Sequence, residues 1–247
     1  MIPLKSEEEL RMLRCSGGIL SRVMRELEKR IKAGISTLDI DSLAEKLILE
    51  QGALPAFKGY RGYPAAVCAS VNEEIVHGIP SGRLLNEGDI LGLDIGVNYK
   101  GYFSDSAITI PIGSVSPKIK KLIDVTRVSL SEGIEAAIIG NCLSDISVRI
   151  QRYVEDNGFS VVRQFVGHGI GLKLHEDPEV PNFGCPGQGP LLKEGMVLAI
   201  EPMVNIGGWE AEILDNGWTA VTKDRLPSAH FEHTVAITKK GPEILTK

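Results

Sequence analysis

Apolar residues in the first fifth of the chain recur three and four positions apart, which predicts helices. Leu10, Leu13, Leu20, Val23, Leu27 and Ile31 form one stripe, entered through a capping box at Ser6 and Glu9. The paired Gly17-Gly18 predicts a looser turn inside it. Ile40, Leu43, Leu47 and Ile48 carry a second helix, with Thr37 or Asp39 as its cap and Gly52 as its stop. The pattern then breaks into the aromatic, punctuated stretch "ALPAFKGYRGYP", followed by strand-like pieces at 65–71 and 75–79. Two apolar runs around "NYKG" predict a hairpin within 89–110. Ser116-Pro117, cap then proline, opens a third helix that runs towards Gly140, and a fourth extends from near Ser144 to Gly158. Strands return at 160–166 and 196–204, in a hairpin around Asn216-Gly217, and at 230–238 and 243–245. Helix pair, strands, helix pair, strands is an α+β order, with helices covering one face of a mostly antiparallel sheet. The repeated order hints at duplication, although no residue-level repeat supports it.

Composition narrows the function classes. No linker, charge block or low-complexity stretch divides the 247 residues, so 1–247 is expected to be a single domain. A hydrophobic share of 43% with 24% charged residues is that of an ordinary globular protein. A net charge of −5 argues against a general nucleic-acid binder, and "SPKIKK" at 116–121 reads as the solvated first turns of a helix. The early charges of "MIPLKSEEELRML" do not fit a signal peptide, and no apolar run approaches the ~18–20 residues of a membrane span. Cys15, Cys68, Cys142 and Cys185 are scattered without a C-x-x-C pair, which suits a reducing compartment. A cytoplasmic protein without a membrane partner is therefore expected. No exposed apolar helix face stands out, so a monomer is the expected state.

Chemistry collects in five positions. If the predicted hairpin closes at Tyr99-Lys100, residues whose numbers sum to 199 face each other, and Asp94 meets Asp105 about 5 Å apart at Cβ. Two such carboxylates repel unless a proton or a cation lies between them; a solvent-facing acidic hairpin is the plainer alternative. Among the five histidines, His168 is flanked by glycines in "VGHGIGLKLHEDPEVP", where the backbone can approach other groups closely. "GHGIG" lacks the remaining glycine and the capped helix of a dinucleotide loop. Glu201 in "VLAIEPMV" and Glu232 in "HFEHTVAI" lie in apolar, strand-like segments without a nearby basic partner, a costly position for a carboxylate. Four carboxylates and one imidazole suit divalent Mn, Fe, Co or Zn. Two metals so held leave positions open for water and substrate, and would supply hydroxide near neutral pH.

The ordered motifs "SVNEEIVHGIP", "DIGVNYKGYFSDSA", "GHGIGLKLHEDPEVPN", "AIEPM" and "FEHT" resemble those of the methionine aminopeptidases in their short bacterial type I form. The similarity covers essentially the whole chain. It implies the pita-bread fold, a pseudo-twofold antiparallel sheet backed by helices, and removal of the initiator methionine from nascent chains whose second residue is small. It implies a dinuclear centre on Asp94, Asp105, His168, Glu201 and Glu232, with Asp105 and Glu232 bridging, His168 and Glu201 on one metal and Asp94 on the other. Glu201 is also the implied proton shuttle. His175 matches the histidine that hydrogen-bonds the scissile amide and the developing oxyanion, and His77 the one lining the substrate channel. The methionine pocket maps onto Tyr60, Tyr63, Cys68, His77 and Trp218, with His175 beside it. A structural monovalent cation maps onto backbone oxygens of Asn72, Glu74 and Ser228. The implied partners are nascent polypeptide N-termini and, transiently, the ribosome.

Two departures bear on pocket shape: Leu174 stands where Phe is common, and Phe57 where Cys is often found. No zinc-knuckle extension precedes Ser6, and no long insertion separates His168 from Glu201, which speaks against the type II form. Prolidases and Xaa-Pro aminopeptidases share the fold and all five ligands but carry an extra N-terminal domain. Non-catalytic, protein-binding members of the fold lose ligands, whereas every ligand is kept here together with His77 and His175. Ile2 is too large a second residue for such an enzyme, so the chain is expected to keep its own Met1.

Overall fold

Each of the first two helices starts on a reciprocal cap. In the computed structural model, which describes residues 2–247, α1 (Glu7–Glu28) begins at Ser6, whose side chain accepts from the Glu9 N–H while Glu9 reaches back to the Ser6 N–H. Met1, expected to be retained, lies outside the described residues. The helix runs unbroken through Gly17-Gly18 rather than loosening there. Gly17 instead permits a close approach, since a Cβ would come within 2.1 Å of the Leu245 carbonyl oxygen. The second helix, α2 (Thr37–Glu50), is capped one residue earlier than expected: Ser36 is the N-cap and Asp39 completes its box.

Beyond the helix pair, β1 (Leu54–Pro55), β2 (Val67–Val71) and β3 (Glu74–Val76) precede a long hairpin of β4 (Ile90–Tyr99) and β5 (Tyr102–Pro111). Its loop is Lys100-Gly101, not Tyr99-Lys100. Both loop residues have positive φ, 54° and 86°, as a turn matched to strand twist requires, and Gly101 takes the second at no steric cost. The Gly101 N–H donates to Asn98 Oδ1 (2.9 Å). Facing residues therefore sum to 201, so Asp94 opposes Ala107 and Asp105 opposes Gly96. The two aspartates are diagonal neighbours rather than a facing pair. A slip of two keeps both on the same face.

The second half repeats the order. Ser116 caps α3 (Pro117–Ala136), and Cys142, rather than a residue near Ser144, caps α4 (Leu143–Asp156). Strand β6 is short, Ser160–Val161; the Val162 N–H still donates to the Met203 carbonyl (2.9 Å), and beyond it the Gln164 side-chain amide pairs with the Ala211 backbone. Then come β7 (Gly167–Gly169), β8 (Glu176–Val180), β9 (Val197–Ile200) and β10 (Met203–Asn205), followed by β11 (Ala211–Ile213), β12 (Ala220–Thr222), β13 (Ser228–His230), β14 (His233–Thr238) and β15 (Gly241–Ile244). The strand expected over 196–204 is broken at Glu201-Pro202, and the one over 230–238 at Phe231-Glu232. Both glutamates sit in those breaks.

Every strand pairing among the described residues is antiparallel. One apolar cluster packs α1 and α2 on β2 and β4, and another packs α3 and α4 on β9, β10, β13 and β14, with Ile108 packed against both. The halves are stitched where β5 passes the β13–β14 junction. Glu232 N–H donates to Ala107 O (2.9 Å), Ser106 Oγ–H to Glu232 O (2.8 Å), and the Asp105 N–H to Thr234 Oγ1 (2.9 Å). This seam is where the chemistry lies.

Candidate metal centre and substrate pocket

Strand registers bring all five predicted ligands together. Asp94 opposes Ala107, Ala107 exchanges backbone hydrogen bonds with Glu232, and the β14–β9 ladder, which pairs His233 with Ile200, points Glu232 at Glu201 one step further on. The next row over begins at Asp105, crosses Thr234 and Ala199, and ends at His168. Positions two apart on a strand share a face, so both rows project into the same space. Small Ala107 and Ala199 leave room for the longer side chains around them.

Distances agree with the registers. One ligand atom from each of Asp105, His168 and Glu232 lies within 4.8 Å of the others. His168 Nε2 is 4.0 Å from Asp105 Oδ2 and 3.7 Å from Glu201 Oε1. His168 Nδ1 lies 2.9 Å from the Gly169 carbonyl. A proton on Nδ1 donated to that oxygen leaves the Nε2 lone pair facing the carboxylates, the arrangement of a metal-binding histidine. The flanking glycines serve close approach, since a Cβ on Gly167 or Gly169 would come within 2.3 and 2.1 Å of neighbouring carbonyl oxygens.

The buried carboxylates call for a proton or a cation among them. Burial pushes the Asp94 and Glu201 carboxyls up to about 7; at Asp94 the His230 ring pulls down and Glu201 pushes up, and at Glu201 His168 pulls down. Asp105 and Glu232 are raised well above the usual carboxylate range as well, by burial first and then by neighbouring carboxylates, Asp94 and Glu201 at Asp105, and Asp105, Glu201 and Asp94 at Glu232. Asp94 Oδ1 and Glu232 Oε1 are buried with no hydrogen-bond partner. Native interiors avoid such atoms unless an ion or water completes them. The donor set, oxygen-rich with one oriented imidazole, fits a divalent metal.

A pH dependence follows. Without metal, Asp94 and Glu201 hold protons in the folded state up to about pH 7, while their ordinary values are 3.8 and 4.5. The folded state then binds more protons than the unfolded chain between about pH 4 and 7. Stability of the metal-free protein is expected to fall as pH rises through that window. Metal competes with those protons, so the rise in Tm produced by Mn(II) should grow from pH 5 to pH 8. Thermal melts with and without metal across that range check this, and a pH-independent gain would contradict it.

Beside the carboxylates lies a cavity of about 70 Å³ walled by Phe57, Tyr60, Tyr63, Cys68, His77, Leu174, His175 and Trp218. All six predicted substrate-side residues are among them, and so are the two departures. Tyr63 is buried, its hydroxyl donating to the Gly78 carbonyl (2.9 Å), and its ring meets Trp218 edge-on at 5.1 Å. His77, at φ 60°, packs edge-on against Phe165 (5.7 Å) and Trp218 (6.4 Å), and burial pushes it down to about 4. His175 lies 3.0 Å from the Tyr60 hydroxyl through Nδ1, and its ring is 4.1 Å from that of His168. The same two histidines, His168 and His175, line a second cleft of about 530 Å³ that reaches Arg61, Lys173, Glu176 and Glu179. Two contributors escaped the sequence reading: Phe165, which backs His77, and His230, whose Nε2 is 3.5 Å from Glu201 Oε2.

The profile of metallopeptidase family M24 matches residues 11–239. The chain belongs to that family. A methionine aminopeptidase of Clostridium perfringens is 53% identical over 246 residues, covering 100% of this chain and 99% of that protein. The crystal structure of a methionine aminopeptidase from Thermotoga maritima superposes with a TM-score of 0.98 at 45% identity, over the full length of both chains. A prolidase from Pyrococcus furiosus shares the fold, with a TM-score of 0.82 at 24% identity, but this chain spans 65% of it. The M24 pita-bread fold is thus the antiparallel, helix-backed arrangement described above. As an M24 metallopeptidase with a buried Asp, His and Glu group, the chain has a divalent-metal site.

Proposed function

We propose that this chain is a methionine aminopeptidase that removes the initiator methionine from nascent polypeptides when the second residue is small. The observation that carries the reading is the small, largely apolar cavity that adjoins the carboxylate–imidazole group and shares His168 and His175 with the larger cleft. One unbranched thioether side chain suits such aromatic walls. The continuing peptide has the cleft as its way out. Residues 1–247 act in this reading as one catalytic domain.

Asp94, Asp105, His168, Glu201 and Glu232 would hold two divalent ions, Co, Mn, Fe or Zn. Asp105 and Glu232, nearest the seam, would be shared; His168 and Glu201 would serve one ion and Asp94 the other. Bound there, such ions would lower the pKa of a water towards neutrality. Glu201 takes on a carboxylate oxygen the proton that the attacking water gives up and returns it to the leaving amine, a role served by a group poised near the working pH. His175 donates from Nε2 to the carbonyl oxygen as it gains charge: with the Tyr60 O–H donated to Nδ1, the imidazole proton rests on Nε2. His77, neutral and held by Phe165 and Trp218, lines the channel. A structural monovalent cation is assigned to the backbone oxygens of Asn72, Glu74 and Ser228; Asn72 and Ser228 are already joined by a 2.9 Å hydrogen bond.

Nascent chains place the work in the cytoplasm, with transient ribosome contact and the protein acting as a monomer. Among the described residues no helix is long and apolar enough to cross a membrane. One assay tests the substrate reading. Met-Gly-Met should be cleaved, and Met-Lys-Met and Gly-Pro peptides should be left intact. Efficient release of Xaa from Xaa-Pro peptides would sink it.

A further inference from the structure

His230 has no part in the five-ligand set, yet it is placed as if it had a task there. It ends β13, is 3% exposed, and both its backbone groups are clamped by Thr109: its N–H donates to Thr109 Oγ1 (2.9 Å), and its carbonyl lies 2.8 Å from the same oxygen. The ring cannot drift far from such an anchor. Its Nε2 is buried and makes no hydrogen bond, the one imidazole nitrogen among the described residues' buried atoms without a partner. The atom it faces is Glu201 Oε2, at 3.5 Å, while Glu201 Oε1 faces His168 at 3.7 Å. Glu201 therefore stands between two imidazoles, each addressing a different oxygen.

A carboxylate that binds a metal and also carries a proton needs its two oxygens kept distinct. Free rotation about the last side-chain bond would exchange them. A neutral imidazole with its proton on Nε2 is a donor of fixed direction. Outer partners of this type orient ligands and are costly to lose. We infer that His230 is a positioning residue, whose Nε2–H donates to Glu201 Oε2 and fixes the rotation of that carboxylate. The inference rests on the proposed metallopeptidase reading, in which Glu201 is both ligand and proton carrier.

Two substitutions separate a donor from mere bulk. His230→Gln keeps an N–H donor, whereas His230→Met fills the space with an unbranched apolar chain that adapts to its neighbours. With Mn(II) saturating, His230→Met should lower kcat on Met-Gly-Met by ~10–100-fold with KM little changed, and weaken Mn(II) binding in calorimetric titration by a similar factor. His230→Gln should restore both to within a few-fold of wild type. Wild-type kcat and affinity in His230→Met would overturn the assignment, as would equal damage in both variants. A measurement without variants guards against misfolding: long-range ¹H–¹⁵N spectra of the Zn(II)-loaded protein should show a protonated Nε2 on His230. An unprotonated, zinc-shifted Nε2 would make His230 a metal ligand and overturn the positioning role. The calorimetric and spectroscopic readouts need no peptide. If wild-type protein binds metal but leaves Met-Gly-Met intact, the substrate reading fails while the His230 test still stands.

Discussion

Asp105→Asn is expected to abolish turnover, by roughly three orders of magnitude or more, without loosening the fold. Asp105 begins the second ligand row, with His168 Nε2 4.0 Å away and the Glu232 carboxylate of the first row in the same cluster. Its backbone N–H is held by Thr234, and its Oδ1 accepts from the Ser106 N–H at 3.1 Å, a contact an asparagine oxygen can keep. What the amide cannot keep is the second anionic oxygen. The several kcal/mol that a divalent ion contributes to catalysis correspond to at least a thousandfold in rate. The stability effect should have the opposite sign to that of an ordinary core substitution. Asp105 is one of four carboxylates in a buried cluster, and burial first, then Asp94 and Glu201, raise it. Burial, Asp94 and Glu201 hold the metal-free Asp105 carboxyl protonated, whereas the unfolded chain carries it charged at pH 7.5. The neutral amide of asparagine is spared that uptake of a proton on folding, so metal-free Asp105→Asn should melt no lower than metal-free wild type at pH 7.5, and the melting gain on adding Mn(II) should vanish. Elemental analysis and thermal melts decide this. A variant that melts far lower without metal would make Asp105 a structural residue instead.

Much of this centre was legible in the sequence because its carboxylates are misplaced by ordinary standards. Glu201 and Glu232 interrupt apolar runs, and Asp94 and Asp105 punctuate a hairpin; burial without a basic partner is the signal. The helix starts were legible for the same local reason, since Ser6 with Glu9 and Ser116-Pro117 advertise caps. The hairpin register was not, because the loop position depends on which two residues take positive φ, and "NYKG" offers more than one choice. The strand breaks at Glu201-Pro202 and Phe231-Glu232 were hidden as well, since apolar residues continue on both sides. Capping by Ser36 and Cys142 was missed in favour of neighbours one or two residues on. His230 was least legible of all: its partner Glu201 comes from a different strand, and nothing local distinguishes it from a strand-end histidine. Tyr60, Cys68, His77 and Trp218 are likewise distant in sequence, and family resemblance, rather than spacing, had grouped them.

His175→Ala should separate chemistry from metal binding. The ring stands 4.1 Å from His168 and lines both the small cavity and the larger cleft, which in the proposed function is where the scissile carbonyl lies. Removing one donor to a developing oxyanion costs about 10²–10³ in kcat. Metal content and the melting gain on Mn(II) should stay at wild-type levels, because no predicted ligand is altered. Burial first, and then the neighbouring His168, Arg61 and His77, push His175 down to about 3. It is therefore neutral throughout the working range and donates as imidazole, not imidazolium. The sign of this shift gives a second check: a group lowered to about 3 loses its proton well below pH 5, so His175→Ala should reduce the rate by the same factor at pH 6 and pH 8. Tyr60→Phe, which removes the hydroxyl 3.0 Å from Nδ1, should produce a smaller loss in the same direction by freeing the tautomer. If His175→Ala turned over Met-Gly-Met at near wild-type rate, or lost its metal, the donor role would be wrong. A rate deficit that changed tenfold between pH 6 and pH 8 would instead mean that the charged ring acts, contrary to the environment in which it is held.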